Sequence, residues 1–139
     1  MKTIGIIGGG QLGQMMAISA TYMGHKVITL DPDPNCPASL VAEQIVAKYD
    51  DTAAIAKLAA RADVLTYEFE NVSADALAPY EDKLPQGLDL LRISQNRIFE
   101  KDFLTKAGVK VAPYTVINTL EDLNDLDLSK KHVVKTATG

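Results

Sequence analysis

The sequence predicts an α/β fold in which a parallel sheet carries helices on both faces. Short apolar runs alternate with segments of helical spacing as far as Gly108, which is typical of strand–helix–strand units. The first run, Thr3–Ile7, is continuously apolar, as expected of a strand that is buried on both faces. A glycine-rich motif then separates this strand from the first helical segment. The three observations agree on a doubly wound sheet.

Each element has its own start and stop signals. Gly24 ends the first predicted helix, and the prolines of the Asp-Pro-Asp-Pro run at residues 31–34 end the second strand because proline cannot pair in a sheet. Asp51 and Ser73 are suited to cap the next two helices. The predicted strands are residues 3–7, 26–30, 44–47, 64–67 and 88–93, and the predicted helices are residues 11–23, 52–61, 73–80 and 94–108.

The pattern changes after Pro113. Residues 114–117 and 132–135 read as strands, with a short helix between them at about residues 118–124. This segment is too short to bury a core of its own. We therefore predict one domain at residues 1–110 and the incomplete start of a second at residues 111–139.

Composition excludes several classes of protein. Hydrophobic residues make up 47% of the 139 residues, enough for a folded core, and the formal net charge is −4 without a Lys/Arg cluster. Nucleic-acid binding is therefore not expected, and no apolar stretch is long enough to predict a membrane span. The single cysteine, Cys36, cannot form an internal disulfide. A reducing, cytoplasmic location is expected.

The motif at residues 8–13, Gly-Gly-Gly-Gln-Leu-Gly, matches the G-x-G-x-x-G pattern in the strand-to-helix context that the pattern requires. Its glycines let the backbone turn sharply, and the start of the helix favours an anion. A tight turn without a ligand remains an alternative. Asp31 lies ~20 residues further on, where a dinucleotide site places its ribose-binding acid. A solvent-exposed turn carboxylate is the alternative for Asp31.

Two acids follow the fourth predicted strand. Glu68 and Glu70 are one residue apart, so in an extended chain their side chains point to the same side. Strands one and four are neighbours at the switch point of such a sheet, so the acids and the glycine motif should face one crevice. Carboxylates there suit ribose hydroxyls or an amine. Two exposed loop acids without a ligand are the alternative.

Cations near the end of the chain are candidates for phosphate contacts. Arg97 and Lys101 are four residues apart on a predicted helix and share a face, and Lys135 ends an apolar run. Solvent-exposed cations are the alternative. His25 and His132 lack partners at ligand spacing, so no metal site is predicted.

Five ordered runs resemble the N5-carboxyaminoimidazole ribonucleotide synthase family of ATP-grasp ligases, which is also called the ATPase subunit of phosphoribosylaminoimidazole carboxylase. They are residues 8–15, 31–38, 66–72, 94–101 and 133–136, and the most specific is Thr-Tyr-Glu-Phe-Glu-Asn-Val at residues 66–72. The resemblance implies a Rossmann-like, pre-ATP-grasp first domain and a truncated ATP-grasp domain after it.

The resemblance also implies a function. Family members use ATP, Mg²⁺ and bicarbonate to carboxylate 5-aminoimidazole ribonucleotide in purine biosynthesis, through carboxyphosphate. By motif, Gly10, Gln11, Leu12, Glu68 and Glu70 would bind the ribonucleotide. Arg97, Lys101 and Lys135 would bind ATP, the catalytic residues are unknown, and the parent protein is expected to be a homodimer.

Two other functions stay open at this point. The glycine motif with Asp31 also suits an NAD(P)-dependent oxidoreductase, and a non-catalytic nucleotide-binding module is compatible with the same fold. Since the family continues beyond the last matched lysine, the 139-residue chain alone is expected to show no turnover. It is expected to retain at most weak affinity for the ribonucleotide phosphate at the glycine motif.

Overall fold

The computed structural model describes residues 1–127 and 129–138. Contacts divide the chain into two compact units, Met1–Arg92 and Ile93–Gly139. The elements of the first part are β1 (Thr3–Ile7), α1 (Gln11–Tyr22), β2 (Lys26–Asp31), β3 (Glu43–Val46), α2 (Thr52–Arg61), β4 (Val64–Tyr67) and α3 (Ala74–Leu77), with 3₁₀ helices at Pro37–Leu40 and Ala78–Lys83. After them come α4 (Asp89–Ser94), α5 (Arg97–Lys106) and a 3₁₀ helix at Glu121–Asp125.

Within the described residues, β1 to β4 form one sheet in the order β3-β2-β1-β4, and every pair is parallel. The central strand β1 pairs with β2 from Thr3 to Ile7 and with β4 from Ile4 to Ile7. All four carboxyl ends therefore lie at the same edge of the sheet. The order and direction confirm the doubly wound sheet predicted from the sequence.

Each face of the sheet packs against helices. On one face, Ile6 and Val27 pack with the small residues Ala17 and Ala20 of α1. The larger core on the other face joins strand residues to α2, α3 and the chain that follows them. Its fully enclosed members include Ile7, Leu30, Ile55, Leu58, Leu65 and Leu77. Each such side chain contributes about 1.5–3 kcal/mol by leaving water, so this core carries most of the stability of the first unit.

The predicted N-caps are present. The carboxylate of Asp51 accepts a hydrogen bond from the backbone N–H of Ala54 at 2.9 Å, and the hydroxyl of Ser73 accepts one from Ala76 at 3.1 Å. Because α3 is followed directly by a 3₁₀ helix, the predicted helix at residues 73–80 is present as two short pieces.

Lys83 closes the other end of α2. Its ammonium donates hydrogen bonds to the carbonyls of Ala59 (2.7 Å) and Ala62 (2.9 Å) in the last turn of the helix. Because these carbonyls have no partner inside the helix, Lys83→Met is expected to lower the free energy of unfolding by about 1.5–3 kcal/mol. Urea denaturation would measure it. Lys57→Met, which changes an exposed lysine of the same helix, should cost less than about 0.5 kcal/mol, and equal losses in both variants would contradict the prediction.

Three predicted strands are wrong. Residues 88–93 lie mostly in α4, while residues 114–117 and 132–135, all of which are described, form neither strand nor helix. Leu88 and Leu91 are buried and Leu90 is exposed, which is a helical spacing. In the part of the chain that the structure describes, the apolar runs at 114–117 and 132–135 belong to no sheet.

The second compact unit is built around α5. The side chain of Asn96 caps this helix by accepting from the backbone N–H of Ile98 (2.9 Å) and Phe99 (3.3 Å). The hydroxyl of Tyr114 donates to Asp102 at 2.6 Å. These contacts place α5 in the same compact unit as the residues that follow it. The predicted boundary near residue 110 stays a prediction, and residues 128 and 139 of the predicted second domain lie outside the described residues.

Candidate functional site

The carboxyl ends of the four strands bring together residues that are distant in sequence. The glycine loop (residues 8–13) follows β1, Asp31 ends β2, Tyr49 follows β3, and Glu68 follows β4. In open parallel sheets, ligands bind at this edge, where the strand order reverses. The reversal here lies between β1 and its neighbours β2 and β4, so the glycine loop stands at the centre of the candidate site.

The glycine loop depends on backbone conformations and approaches that other residues do not permit. Gly8 has φ +110°, and a Cβ there would lie 2.8 Å from Oε2 of Glu68 and 2.9 Å from the ring of Phe69. A Cβ at Gly13 would collide with the carbonyl oxygen of Gly8. The loop after β1 and the segment after β4 are therefore in direct contact, which confirms the predicted convergence for Glu68.

Asp31 holds the glycine loop in place through a hydrogen bond. Its carboxylate Oδ2 accepts the backbone N–H of Gly9 at 2.7 Å and the hydroxyl of Tyr49 at 2.7 Å, and Oδ1 accepts the N–H of Asp33 at 2.9 Å. The residue is only 6% exposed, so its interpretation as a solvent-exposed turn acid is wrong. Because both oxygens already accept hydrogen bonds within the chain, Asp31 is also poorly placed to bind a nucleotide ribose.

Tyr49 is a part of this site that sequence reasoning missed. Its ring packs edge-on against Phe69, with centroids 4.8 Å apart and an interplanar angle of 76°. Burial, and then the hydrogen bond to Asp31, raise the pKa of the Tyr49 hydroxyl well above its ordinary value of 10.0. The hydroxyl therefore stays a donor to Asp31 throughout the physiological range. Its position just after a predicted strand was the available signal, because every such loop reaches the same edge.

Glu68 places a buried carboxylate against the glycine loop. Within the described part of the chain, its Oε2 is a buried side-chain oxygen without a hydrogen-bond partner. Oε2 lies 3.1 Å from the position a Cβ would take at Gly13, and Oε1 lies 3.1 Å from the equivalent position at Gly10. An unpaired buried acceptor is costly, so the Glu68 carboxylate favours a hydrogen-bond donor at this end of the glycine loop.

The same carboxylate decides what the loop can bind. The start of α1 has no side-chain cap and no acid in its first turn, which would suit a phosphate. Glu68, however, lies against the same loop, and a carboxylate there opposes a phosphate by like-charge repulsion. The geometry therefore favours an amine or hydroxyl over the phosphate expected from the glycine motif.

Three other residues predicted to bind substrate at this edge, Gln11, Leu12 and Glu70, are exposed. Gln11 and Leu12 form the first turn of α1, and Leu12 is 58% exposed. Glu70 is exposed whereas Glu68 is partly buried. The chain bends at residues 68–70 instead of continuing β4. The chain is therefore not extended through the two acids, so the conformation from which a shared side was expected is wrong.

The cations predicted to bind ATP lie in the second compact unit. Arg97 begins α5, and its backbone N–H donates to the carbonyl of Ala137 at 2.8 Å. Lys101 lies with its ammonium 5.1 Å from the ring centroid of Tyr114 and 3.5 Å from the carbonyl oxygen of Ala112. Lys135 is exposed. The Arg97–Ala137 hydrogen bond brings the segment that follows Lys135 to the start of α5.

Among residues 1–127 and 129–138, no group of three or more His, Cys, Asp or Glu side chains is arranged to hold a metal ion. The helices described are also too short or too polar for any of them to cross a bilayer.

Comparison with known proteins decides the family. Residues 1–87 match the model of the ribonucleotide synthetase preATP-grasp domain. The chain belongs to this family. The prediction of a pre-ATP-grasp first domain is thereby confirmed.

Relatives of this preATP-grasp chain include curated N5-carboxyaminoimidazole ribonucleotide synthases. Those of Staphylococcus haemolyticus and Bacillus subtilis are each 49% identical to it, over 99% and 98% of the chain and 38% and 37% of their own length. This chain thus spans well under half the length of those relatives.

Solved structures agree with the sequence comparison. An ADP complex of an N5-carboxyaminoimidazole ribonucleotide synthetase superimposes with a TM-score of 0.89 at 49% identity, over 99% of this chain and 38% of that one. The Aspergillus clavatus synthase, solved with ADP and 5-aminoimidazole ribonucleotide, has a TM-score of 0.78 at 30% identity, over 92% and 36%.

Proposed function

We propose that the protein carrying this chain is an ATP-dependent ligase that carboxylates 5-aminoimidazole ribonucleotide with bicarbonate, giving N5-carboxyaminoimidazole ribonucleotide in purine biosynthesis. The observation that carries the proposal is the buried, unpartnered Oε2 of Glu68 against the glycine loop. Relatives at 49% identity with this activity support it, as does the Aspergillus clavatus complex.

Glu68 and Glu70 are the substrate-binding acids of the proposal. The ribonucleotide offers an exocyclic amine and ribose hydroxyls, all of which donate hydrogen bonds. Carboxylate acceptors at the edge of the sheet can pair with such donors and orient the amine. We propose that Gly10, Gln11 and Leu12, at the start of α1, also contact the ribonucleotide.

At this edge of the sheet, the role proposed for the protein is to place the amine correctly rather than to transfer a proton. Transfer of the γ-phosphoryl group of ATP to bicarbonate gives carboxyphosphate and ADP. The amine nitrogen then attacks the carboxyl carbon, a C–N bond forms, phosphate leaves and the nitrogen loses a proton. Orientation of the nucleophile can supply a large part of the rate enhancement of such a reaction.

ATP contacts are proposed for the second compact unit. Arg97, Lys101 and Lys135 carry the positive charge that nucleotide phosphates require. Structures of relatives solved with ADP or ATP support nucleotide binding in this family. Mg²⁺ offsets phosphate charge in such reactions, and among the described residues no group of three or more His, Cys, Asp or Glu side chains is arranged to hold it. By resemblance, we also propose that the whole protein is a cytoplasmic homodimer.

The dehydrogenase alternative is not favoured. Asp31, its proposed ribose ligand, is occupied by Gly9, Asp33 and Tyr49, and Glu68 disfavours a pyrophosphate at the glycine loop.

The test is phosphate release from ATP by the whole protein. Release should require both 5-aminoimidazole ribonucleotide and bicarbonate, and omission of either should abolish it. Titration of the ribonucleotide into the 139-residue chain, followed by NMR, should shift the amides of residues 8–13 and 68–70 more than ribose 5-phosphate does. ATP hydrolysis that does not depend on the ribonucleotide would refute the proposal. Amide shifts of equal size with ribose 5-phosphate would also refute it.

A further inference from the structure

Tyr49 contacts residues on both sides of the candidate site: Asp31, which holds the glycine loop (the first wall), and Phe69 in the residue 68–70 segment (the second wall). It lies in the loop between β3 and α2 and is half-buried against the larger core. Its hydroxyl reaches Asp31, and its ring reaches Phe69. Because one side chain makes both contacts, Tyr49 couples the position of the glycine loop to the position of the residue 68–70 segment.

The contact with the first wall runs through a shared oxygen. Oδ2 of Asp31 accepts from the Tyr49 hydroxyl and from the Gly9 backbone N–H, each at 2.7 Å. The tyrosine hydroxyl thus fixes the rotamer of the carboxylate that holds the glycine loop. Without the hydroxyl, Asp31 would keep Gly9 as a partner but lose the second donor that fixes where Oδ2 lies.

The contact with the second wall is made by an aromatic edge. Phe69 stands between Glu68 and Glu70 in sequence, and its Cε1 lies 2.9 Å from the position a Cβ would take at Gly8. A T-shaped pair at 4.8 Å has a defined geometry that restricts how each ring can turn. Tyr49 therefore also restrains the bent segment that carries the two acids.

We propose that Tyr49 is a positioning residue that sets the distance between the glycine loop and the Glu68–Glu70 segment. The proposal rests on the proposed function, because that distance matters only if both walls hold one substrate. Tyr49 acts through Asp31 and Phe69.

The first experiment needs no substrate. In the whole protein, Tyr49→Phe keeps the ring and removes the hydroxyl. Amide hydrogen exchange at Gly9 should become roughly tenfold faster, as expected for the loss of one hydrogen bond to a charged acceptor. Exchange at Ile6 and Leu65 in the core strands should not change. Unchanged exchange at Gly9, or a uniform increase across the strands, would overturn the proposal.

The second experiment uses steady-state kinetics of the whole protein. Tyr49→Phe should raise KM for 5-aminoimidazole ribonucleotide by roughly tenfold and leave KM for ATP within about twofold. Tyr49→Leu, which loses both contacts, should raise it further. Tyr67→Phe is the matched control, since it also removes one tyrosine hydroxyl and its hydrogen bond, here to the carbonyl of Gly87. It should leave both constants unchanged.

The outcomes separate the two proposals. Equal changes in both KM values, or the same response to Tyr67→Phe, would show that Tyr49 is only part of the core and would refute its positioning role. A wild-type protein without ribonucleotide-dependent turnover would refute the proposed function. Exchange at Gly9 would then still decide whether Tyr49 fixes the loop.

Discussion

Replacing Gly8 with alanine is expected to lower the free energy of unfolding by about 2–6 kcal/mol. Part of this cost, about 1–3 kcal/mol, is the strain of an L-residue at φ +110°. The rest, also about 1–3 kcal/mol, comes from contact of the new Cβ with Glu68 and Phe69. Urea denaturation followed by circular dichroism would measure the loss. It is large for a domain whose total stability is about 5–15 kcal/mol.

Gly24 provides a control for the backbone strain. It also has a positive φ, +81°, but a Cβ there would have nothing within 4 Å. Gly24→Ala should therefore cost only the strain of an L-residue at positive φ, about 1–2 kcal/mol. Equal costs at Gly8 and Gly24 would show that the approach of Glu68 and Phe69 to the loop does not constrain residue 8.

Glu70→Ala is expected to lower activity with 5-aminoimidazole ribonucleotide strongly. A hydrogen bond between a carboxylate and a substrate donor is worth about 1.5–3 kcal/mol, so kcat/KM for 5-aminoimidazole ribonucleotide should fall by roughly 10- to 100-fold. KM for ATP should stay within about twofold, because the proposed ATP contacts are Arg97, Lys101 and Lys135. Steady-state kinetics of the whole protein with each substrate varied in turn would measure both.

Glu81→Ala is the matched control for charge. Glu81 is an exposed acid in the 3₁₀ helix Ala78–Lys83, whose Lys83 bonds the carbonyls at the C-terminal end of α2. Its replacement changes net charge equally and should leave kcat/KM for the ribonucleotide unaltered. If Glu70→Ala behaves like Glu81→Ala, Glu70 does not bind the substrate.

The first four strands could be predicted because each is a short run with buried apolar residues and lies beside a partner. β2, for example, has five consecutive buried residues, three of which are Val27, Ile28 and Leu30. The run at residues 88–93 is too short for its composition to distinguish strand from helix. The run at 132–135 shows a further limit, since β-branched residues form a strand only where another strand accepts their hydrogen bonds.

The site was predictable to the extent that topology alone determines it. The contact of Glu68 with the glycine loop follows from the pairing of β1 with β4, and that pairing follows from the strand order. The roles of Asp31 and Tyr49 do not follow in this way. Their partners are 22 and 18 residues away in sequence and depend on side-chain packing, which no local pattern records.

The central position of β1 also has a consequence for the order in which this unit forms during synthesis. Chains are made from the N-terminus at about 5–20 residues per second, so β1, β2 and β3 can pair while β4 is still inside the ribosome. We expect the last ladder to close to be β1 with β4, because it joins residues about 60 apart and long-range parallel pairing is slow. Glu68 and Phe69 arrive with β4. The nascent chain therefore carries the glycine loop and its Asp31–Tyr49 brace before it has the acidic wall, and the crevice is the last feature of the sheet to be completed.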